Sequence, residues 1–151
     1  IRRFLQAGRL DLARNMLGRS IELTGRLEKG AGLGKSIGAQ TLNLRVRNEL
    51  LPQFGVYAGW LTQDARRGKA RPVVMNLGVA PTVHKGREVR LESHVLDGGR
   101  VSYGRSEILR VELVKFLRPE RIFDSVKALR RAIQRDIRRA RGIVGRESRA
   151  H

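Results

Sequence analysis

Thr41 and Asn43 close a glycine-rich run, Gly-Lys-Ser-Ile-Gly-Ala-Gln-Thr-Leu-Asn over residues 34–43, and they offer the most specific chemistry in the chain. Two apart in an extended backbone, their side chains share one face while Leu42 points to the other. A hydroxyl and a carboxamide oxygen side by side are hard donors, suited to a magnesium ion that takes its other ligands from water and nucleotide phosphate. Gly30, Gly32, Gly34 and Gly38 lack a Cβ, so the backbone ahead of this pair can turn tightly and come close to a phosphate. The plain alternative is an ordinary surface loop entering an ordinary strand.

Gly34-Lys35-Ser36 looks like the end of a Walker A loop, but the pattern fails twice. The glycine that motif needs five positions before Gly34 is Lys29, and Gly30 is one residue too close. The motif should also open a helix, whereas Leu42, Leu44 and Val46 alternate with Asn43, Arg45 and Arg47, the period of a strand.

A chain of 151 residues suits one domain with its own core. Ile1 stands where an initiating methionine would, so an upstream part, including an N-terminal partner domain, is expected. With no cysteine, and with His84, His94 and His151 scattered, the usual zinc sites are excluded, and the composition fits a reducing compartment. No apolar run reaches a membrane-spanning length and no signal peptide is present, so a soluble, cytoplasmic protein is expected. The 32 Lys and Arg against 14 Asp and Glu give a net charge of +18, which attracts polyanions such as nucleic acid, ribosomal RNA or an anionic membrane. The plain alternative is a solvated arginine-rich surface, and one Trp and two Tyr leave little for base stacking.

Two short helices are expected first, from Ile1, Phe4 and Leu5 and from Leu12, Ala13, Met16 and Leu17, the second capped by Asp11 and stopped by Gly18. Period-two alternation predicts a strand over residues 20–29, with Gly25 marking a bulge or close approach. Further strands follow at 42–47, 54–62, 72–79, 89–96 and 107–116. Within the fifth, Val89, Leu91, Ser93 and Val95 share one face and Arg90, Glu92 and His94 the other. Six strands joined by short turns argue for an antiparallel barrel or sandwich. From Asp124 the period becomes helical: Val126, Leu129, Ile133, Ile137, Ala140 and Val144 form a face to pack on the sheet. The opposite side presents Lys127, Arg130, Arg131, Arg135, Arg138, Arg139 and Arg141 to solvent. The expected division is a helical lead-in over 1–18, a barrel domain with its helix over 19–145 and a basic tail over 146–151.

Several motifs in order resemble the riboflavin kinase family, in particular the C-terminal kinase module of bacterial bifunctional riboflavin kinase/FMN adenylyltransferases. They are Leu17-Gly18-Arg19, Gly-x-x-x-Gly-x-x-Thr-x-Asn ending at Asn43, Gly55-Val56-Tyr57 and Asn76-Leu-Gly-Val-Ala-Pro-Thr82, followed by Leu91-Glu92-Ser-His-Val-Leu-Asp97, Tyr103-Gly104 and Phe116-Leu-Arg-Pro-Glu-Arg-Ile-Phe-Asp-Ser125. The resemblance implies a mainly β fold, a six-stranded antiparallel Greek-key barrel with short N-terminal helices and a long C-terminal amphipathic helix. It implies transfer of the ATP γ-phosphate to the ribityl 5′-hydroxyl of riboflavin, giving FMN, with Mg2+ as the metal.

On these positions the resemblance makes Glu92 the catalytic base. It makes Thr41 and Asn43 the metal and phosphate pair, with Gly34, Lys35 and Gly38 around the nucleotide phosphates. The segment 117–124, with Arg118 and Phe123, would shape the flavin side. The plain alternative for Glu92 is an exposed carboxylate paired with Arg90 or another arginine across the sheet. The family's Pro-Thr-Ala-Asn reads Gln40-Thr41-Leu42-Asn43 here, losing proline's fixed φ and placing a leucine where alanine is usual. The turn Asp97-Gly-Gly-Arg also departs from the family's pattern. The competing expectation is a catalytically degenerate barrel that binds RNA or a ribosome through its arginine-rich surface. Riboflavin and ATP are the expected small-molecule partners, with an FMN adenylyltransferase domain upstream.

Overall fold

The computed structural model of the chain describes residues 1–28, 41–63, 69–81, 87–99, 103 and 107–147. Nearly every second residue of the strands is apolar, and these side chains close on one another inside a barrel. They come from β1 (Ile21–Glu28), β2 (Thr41–Val46), β3 (Gly55–Thr62), β4 (Arg71–Pro81), β5 (Arg87–Val95) and β6 (Ile108–Pro119). Ile21, Leu23, Leu42, Leu44, Tyr57, Leu61, Met75, Leu77, Leu91, Val111 and Leu113 are buried in this interior. The strand order is β1-β2-β5-β4-β3-β6, closed by β6 against β1, and every neighbouring pair is antiparallel. Consecutive strands β3, β4 and β5 lie side by side and β6 returns beside β3, the Greek-key order. Closure removes the sheet edges that a sandwich would leave.

Two short helices, α1 (Arg2–Gln6) and α2 (Leu10–Leu17), join the same core through Leu5, Leu10 and Ala13. Gly18 ends α2 in the left-handed conformation (φ 65°), as its position predicts. The N-cap of α2 is Arg9, with no side-chain cap bond, so Asp11 is not the cap. Asp11 lies in the first turn, where its charge meets the positive end of the helix dipole and Arg9 at 3.8 Å.

Gly25 marks a close approach and not a bulge, because its pairing to β2 and β6 runs without a register shift. A Cβ there would lie 2.8 Å from Leu44 Cβ. Crowding is more severe at Gly59, where a register shift brings β3 against β6 and a Cβ would lie 1.9 Å from the Glu112 carbonyl oxygen. Backbone cannot yield as a side-chain tip can, so Gly59→Ala is expected to destabilise the fold by about 1–3 kcal/mol or more, measured as a lower urea midpoint at unchanged slope.

The long helix α3 (Val126–Glu147) packs on the outside of the barrel. Ile137, Ala140 and Val144 meet Val56, Ala58, Val74 and Leu117, with Ile133 and Trp60 packed at the margin. Ser125 caps its start, its Oγ accepting the Ala128 N–H at 3.1 Å. Two predicted members of the packing face do not pack: Val126 is 67% exposed and Leu129 39%. The start of α3 overhangs a cleft on the barrel wall, which both side chains line. The predicted arginine face is exposed throughout, and from it Arg139 donates to the Leu117 carbonyl and Arg141 to that of Leu96, both at 3.3 Å.

Candidate active site

Residues that point away from the barrel's core fall into rows across the sheet. Antiparallel pairing of β2 with β5 sets Thr41 opposite His94 and Asn43 opposite Glu92. On the other side of β5, Glu92 faces Asn76 and His94 faces Val74 of β4. Asn43 is in turn opposite Glu28 of β1. Directly opposed residues carry their Cβ atoms about 4.5–5.5 Å apart, so each row is a set of neighbouring side chains. Their sequence neighbours Leu42, Leu44, Leu91 and Met75 are buried inside, which fixes the polar set outward.

A cleft of about 710 Å³ opens over these rows, between the barrel wall and the overhang of α3. Thr41, Glu92, His94 and Asn76 give its wall a polar end, next to apolar Val56 and Val74. The far wall is Phe123, Val126, Leu129 and Ile133, edged by Glu120, Arg121 and Arg130. Asn43 is not in the lining; it stands one rung along, beside Glu92. The exposed apolar side chains at the start of α3, Val126 and Leu129, therefore border a cleft.

Among the described residues Glu92 makes no ion pair, so the paired-carboxylate alternative does not hold. Arg90 points instead to Glu28 at 3.8 Å and Glu88 at 3.6 Å. Arg45 contacts Glu88 at 2.7 Å and Glu28 at 3.9 Å. Two acids thus hold two arginines one rung from Glu92 and leave its carboxylate open. Burial pushes the His94 imidazole below its ordinary range and favours the neutral ring, whose Nδ1 lies 3.1 Å from Thr41 Oγ1.

Arg118 is in the cleft wall, as expected, but its guanidinium is engaged. It grips Asp136 of α3 through Nε at 3.0 Å and Nη2 at 2.8 Å, and Nη1 donates to the Pro119 carbonyl at 3.1 Å. Its Cζ sits 5.6 Å from the centre of the Phe123 ring, and that of Arg121 at 5.3 Å. Arg118 therefore braces the wall that Phe123 forms.

A family model described as Flavokinase, riboflavin kinase, matches residues 17–144. The chain belongs to the riboflavin kinase family. Bifunctional riboflavin kinase/FMN adenylyltransferases are similar over nearly all of it. The Pseudomonas fluorescens protein is 36% identical over 95% of this chain, and that of Escherichia coli K12 37% over 96%. The chain spans 45% of the length of each of these two relatives. Among solved structures, riboflavin kinase from Trypanosoma brucei matches with a TM-score of 0.52 at 18% identity, over 82% of this chain and 79% of that one. A structure described as a macrolide-efflux protein from Streptococcus pneumoniae matches with a TM-score of 0.78 at 24% identity, over 93% of this chain and 44% of that one. At such identities these two likenesses show the fold alone.

In this riboflavin kinase family member the structure brings Thr41, Glu92, Arg118 and Phe123 into one cleft, with Asn43 alongside. Gly34, Lys35 and Gly38 lie outside the described residues. Sequence reasoning missed His94, Asn76 and Asp136, all in the cleft lining. His94 carried a usable signal, since it is two residues from Glu92 on the same strand face. Asn76 opens one of the motifs that carry the family resemblance, but its place opposite Glu92 depends on which strands pair.

Leu42, the departure from the family's alanine, points into the barrel and is 6% exposed. It sits opposite Ser93, also fully buried, so a larger side chain faces a small one and the cleft is untouched. Leu42→Ala is therefore expected to cost roughly 2–3 kcal/mol in chemical denaturation, toward the lower end for Leu→Ala because neighbours at a strand end can close in. Activity per folded molecule should stay near that of the wild type.

Proposed function

We propose that this chain transfers the γ-phosphate of ATP to the 5′-hydroxyl of riboflavin, giving FMN. The observation that carries this reading is Glu92, which makes no ion pair among the described residues, in the polar end of a cleft whose far wall is apolar. Phosphoryl transfer asks little covalent chemistry of a protein; it needs positioning, charge neutralisation and a group to orient the nucleophile. Glu92 accepts the proton of the attacking hydroxyl, with Asn43 and Asn76 opposite it on the flanking strands. Val56, Val74, Phe123, Leu129 and Ile133 supply apolar surface for the flat tricyclic ring, leaving the ribityl chain to extend toward Glu92.

The donor set suits a divalent metal that arrives with the nucleotide. Among the described residues no three His, Cys, Asp or Glu come together, so a metal cage made by the protein alone has no basis there. Thr41 and Asn43 add hard oxygens in a place where phosphates and water would complete the shell, and Mg2+ is the ion that prefers such a shell. When bound, the metal neutralises phosphate charge. Gly34, Lys35 and Gly38 are assigned to the nucleotide phosphates on the family resemblance.

The relatives' names include an FMN adenylyltransferase, and we propose such a domain as a partner of this one. Among the described residues no helix is long and apolar enough to cross a membrane, and we place the protein in the cytoplasm. The degenerate RNA-binding alternative rests on charge alone, and an open cleft holding an acid with no ion pair among the described residues favours the enzyme. Incubation of the purified protein with riboflavin, ATP and Mg2+, followed by chromatography, should yield FMN. A folded protein that forms none at substrate saturation would remove the proposal.

A further inference from the structure

A hydroxyl that serves as a metal ligand has a directional problem. Thr41 Oγ1 carries one hydrogen and two lone pairs, and rotation about its bonds decides which of them faces the cleft. A cation needs a lone pair, so the hydrogen has to be drawn elsewhere. Thr41 opens β2, where a free rotor would spread over several orientations.

The β2–β5 register supplies an acceptor. His94 is directly opposite Thr41, and its Nδ1 lies 3.1 Å from Thr41 Oγ1, a hydrogen-bond distance. A neutral imidazole has one nitrogen that donates and one that accepts, and only the accepting one can take the hydroxyl hydrogen. The opposite tautomer would donate to Oγ1 and occupy one of the lone pairs the metal requires. The ring belongs to a regular strand whose flanking residues, Ser93 and Val95, are anchored in the core, so the acceptor is set by the barrel and not by a loop.

We propose that His94 is a positioning residue: its Nδ1 accepts the Thr41 hydroxyl hydrogen and so aims the Oγ1 lone pairs at the site of the nucleotide-borne divalent cation. This rests on the reading of Thr41 as a metal-holding group. It assigns His94 no contact with substrate and no proton-transfer step. The arrangement parallels the outer-shell partners that orient ligands at metal sites, where loss of the partner weakens metal binding about 10- to 100-fold.

Direct binding of Mn2+ in the presence of ADP, followed by electron paramagnetic resonance, tests this without turnover. His94→Leu is expected to weaken Mn2+ binding about 10- to 100-fold. His94→Asn, whose Oδ1 stands near the place of the ring Nδ1, should recover most of the loss. In a Thr41→Val background, His94→Leu should add little, because the hydroxyl it orients is gone. Circular dichroism establishes that each variant is folded. The inference is overturned if His94→Leu leaves Mn2+ binding unchanged, if it weakens binding equally with and without the Thr41 hydroxyl, or if the wild type binds no Mn2+ with ADP. A wild type that binds Mn2+ and ADP with this dependence on His94 but makes no FMN would keep the inference and remove the kinase reading.

Discussion

Glu92→Gln is expected to lower the rate of FMN formation at substrate saturation by about 10²- to 10⁴-fold, the usual contribution of a positioned general base. The change keeps the shape and the hydrogen-bonding reach of the side chain and removes its ability to take a proton. Glu92 is partly exposed on the outer face of β5, with Asn43 and Asn76 opposite it on the flanking strands, so no core contact is lost. The riboflavin KM should change little, since the apolar wall is untouched, and thermal unfolding should be unaltered. The specific reason to expect so large an effect is that Glu28 and Glu88 occupy Arg90, so that among the described residues no cation pairs with the Glu92 carboxylate. A rate for the glutamine variant within a few fold of wild type would take Glu92 out of the reaction.

Asp136→Ala should be the most damaging single change to the fold outside the barrel's interior. Asp136 is 5% exposed and accepts from Nε and Nη2, one edge of the Arg118 guanidinium, so its removal leaves a largely buried cation with no counter-charge, only the Pro119 carbonyl and the Phe123 ring. Breaking a buried pair in this way costs about 3–5 kcal/mol, most of it the penalty of the charge left behind. That diagnosis has its own check. Replacing both partners with apolar residues, Arg118→Met together with Asp136→Leu, should recover much of the loss, because no charge then remains buried. Urea denaturation of the single and double variants measures both. The double variant should nevertheless bind riboflavin less well, since the brace under Phe123 is gone. If it proves as unstable as Asp136→Ala, the pair is not what holds α3.

The legibility of the fold and of the site differed for a physical reason. A strand's side chains alternate with period two, so the faces of Thr41, Asn43, Glu92 and His94 followed from local order. The helical spacing from Val126 to Val144 likewise foretold α3, and Gly18 its predecessor's end. Asp11 misled because an acid in a helix's first turn and an acid at its cap serve the same dipole one or two positions apart. Val126 and Leu129 fit the helical stripe as well as Ile137 does, and periodicity cannot distinguish an apolar residue that packs on the sheet from one that walls a cleft. For Leu42 the alternation alone put the side chain on the side away from Thr41 and Asn43, and burial then showed that side to be the core.

The sequence by itself determined the six strands, the outward set of polar side chains, the terminal helix and, through the order of its motifs, the riboflavin kinase family. Only the tertiary structure decided that Glu92 lies between Asn43 and Asn76, that His94 meets Thr41, and that Arg118 is spent on Asp136. Alternation along a strand is set by backbone geometry, which each residue carries with it. Contact across strands and between helix and barrel depends on register and docking, which arise only when distant segments bury their apolar faces together.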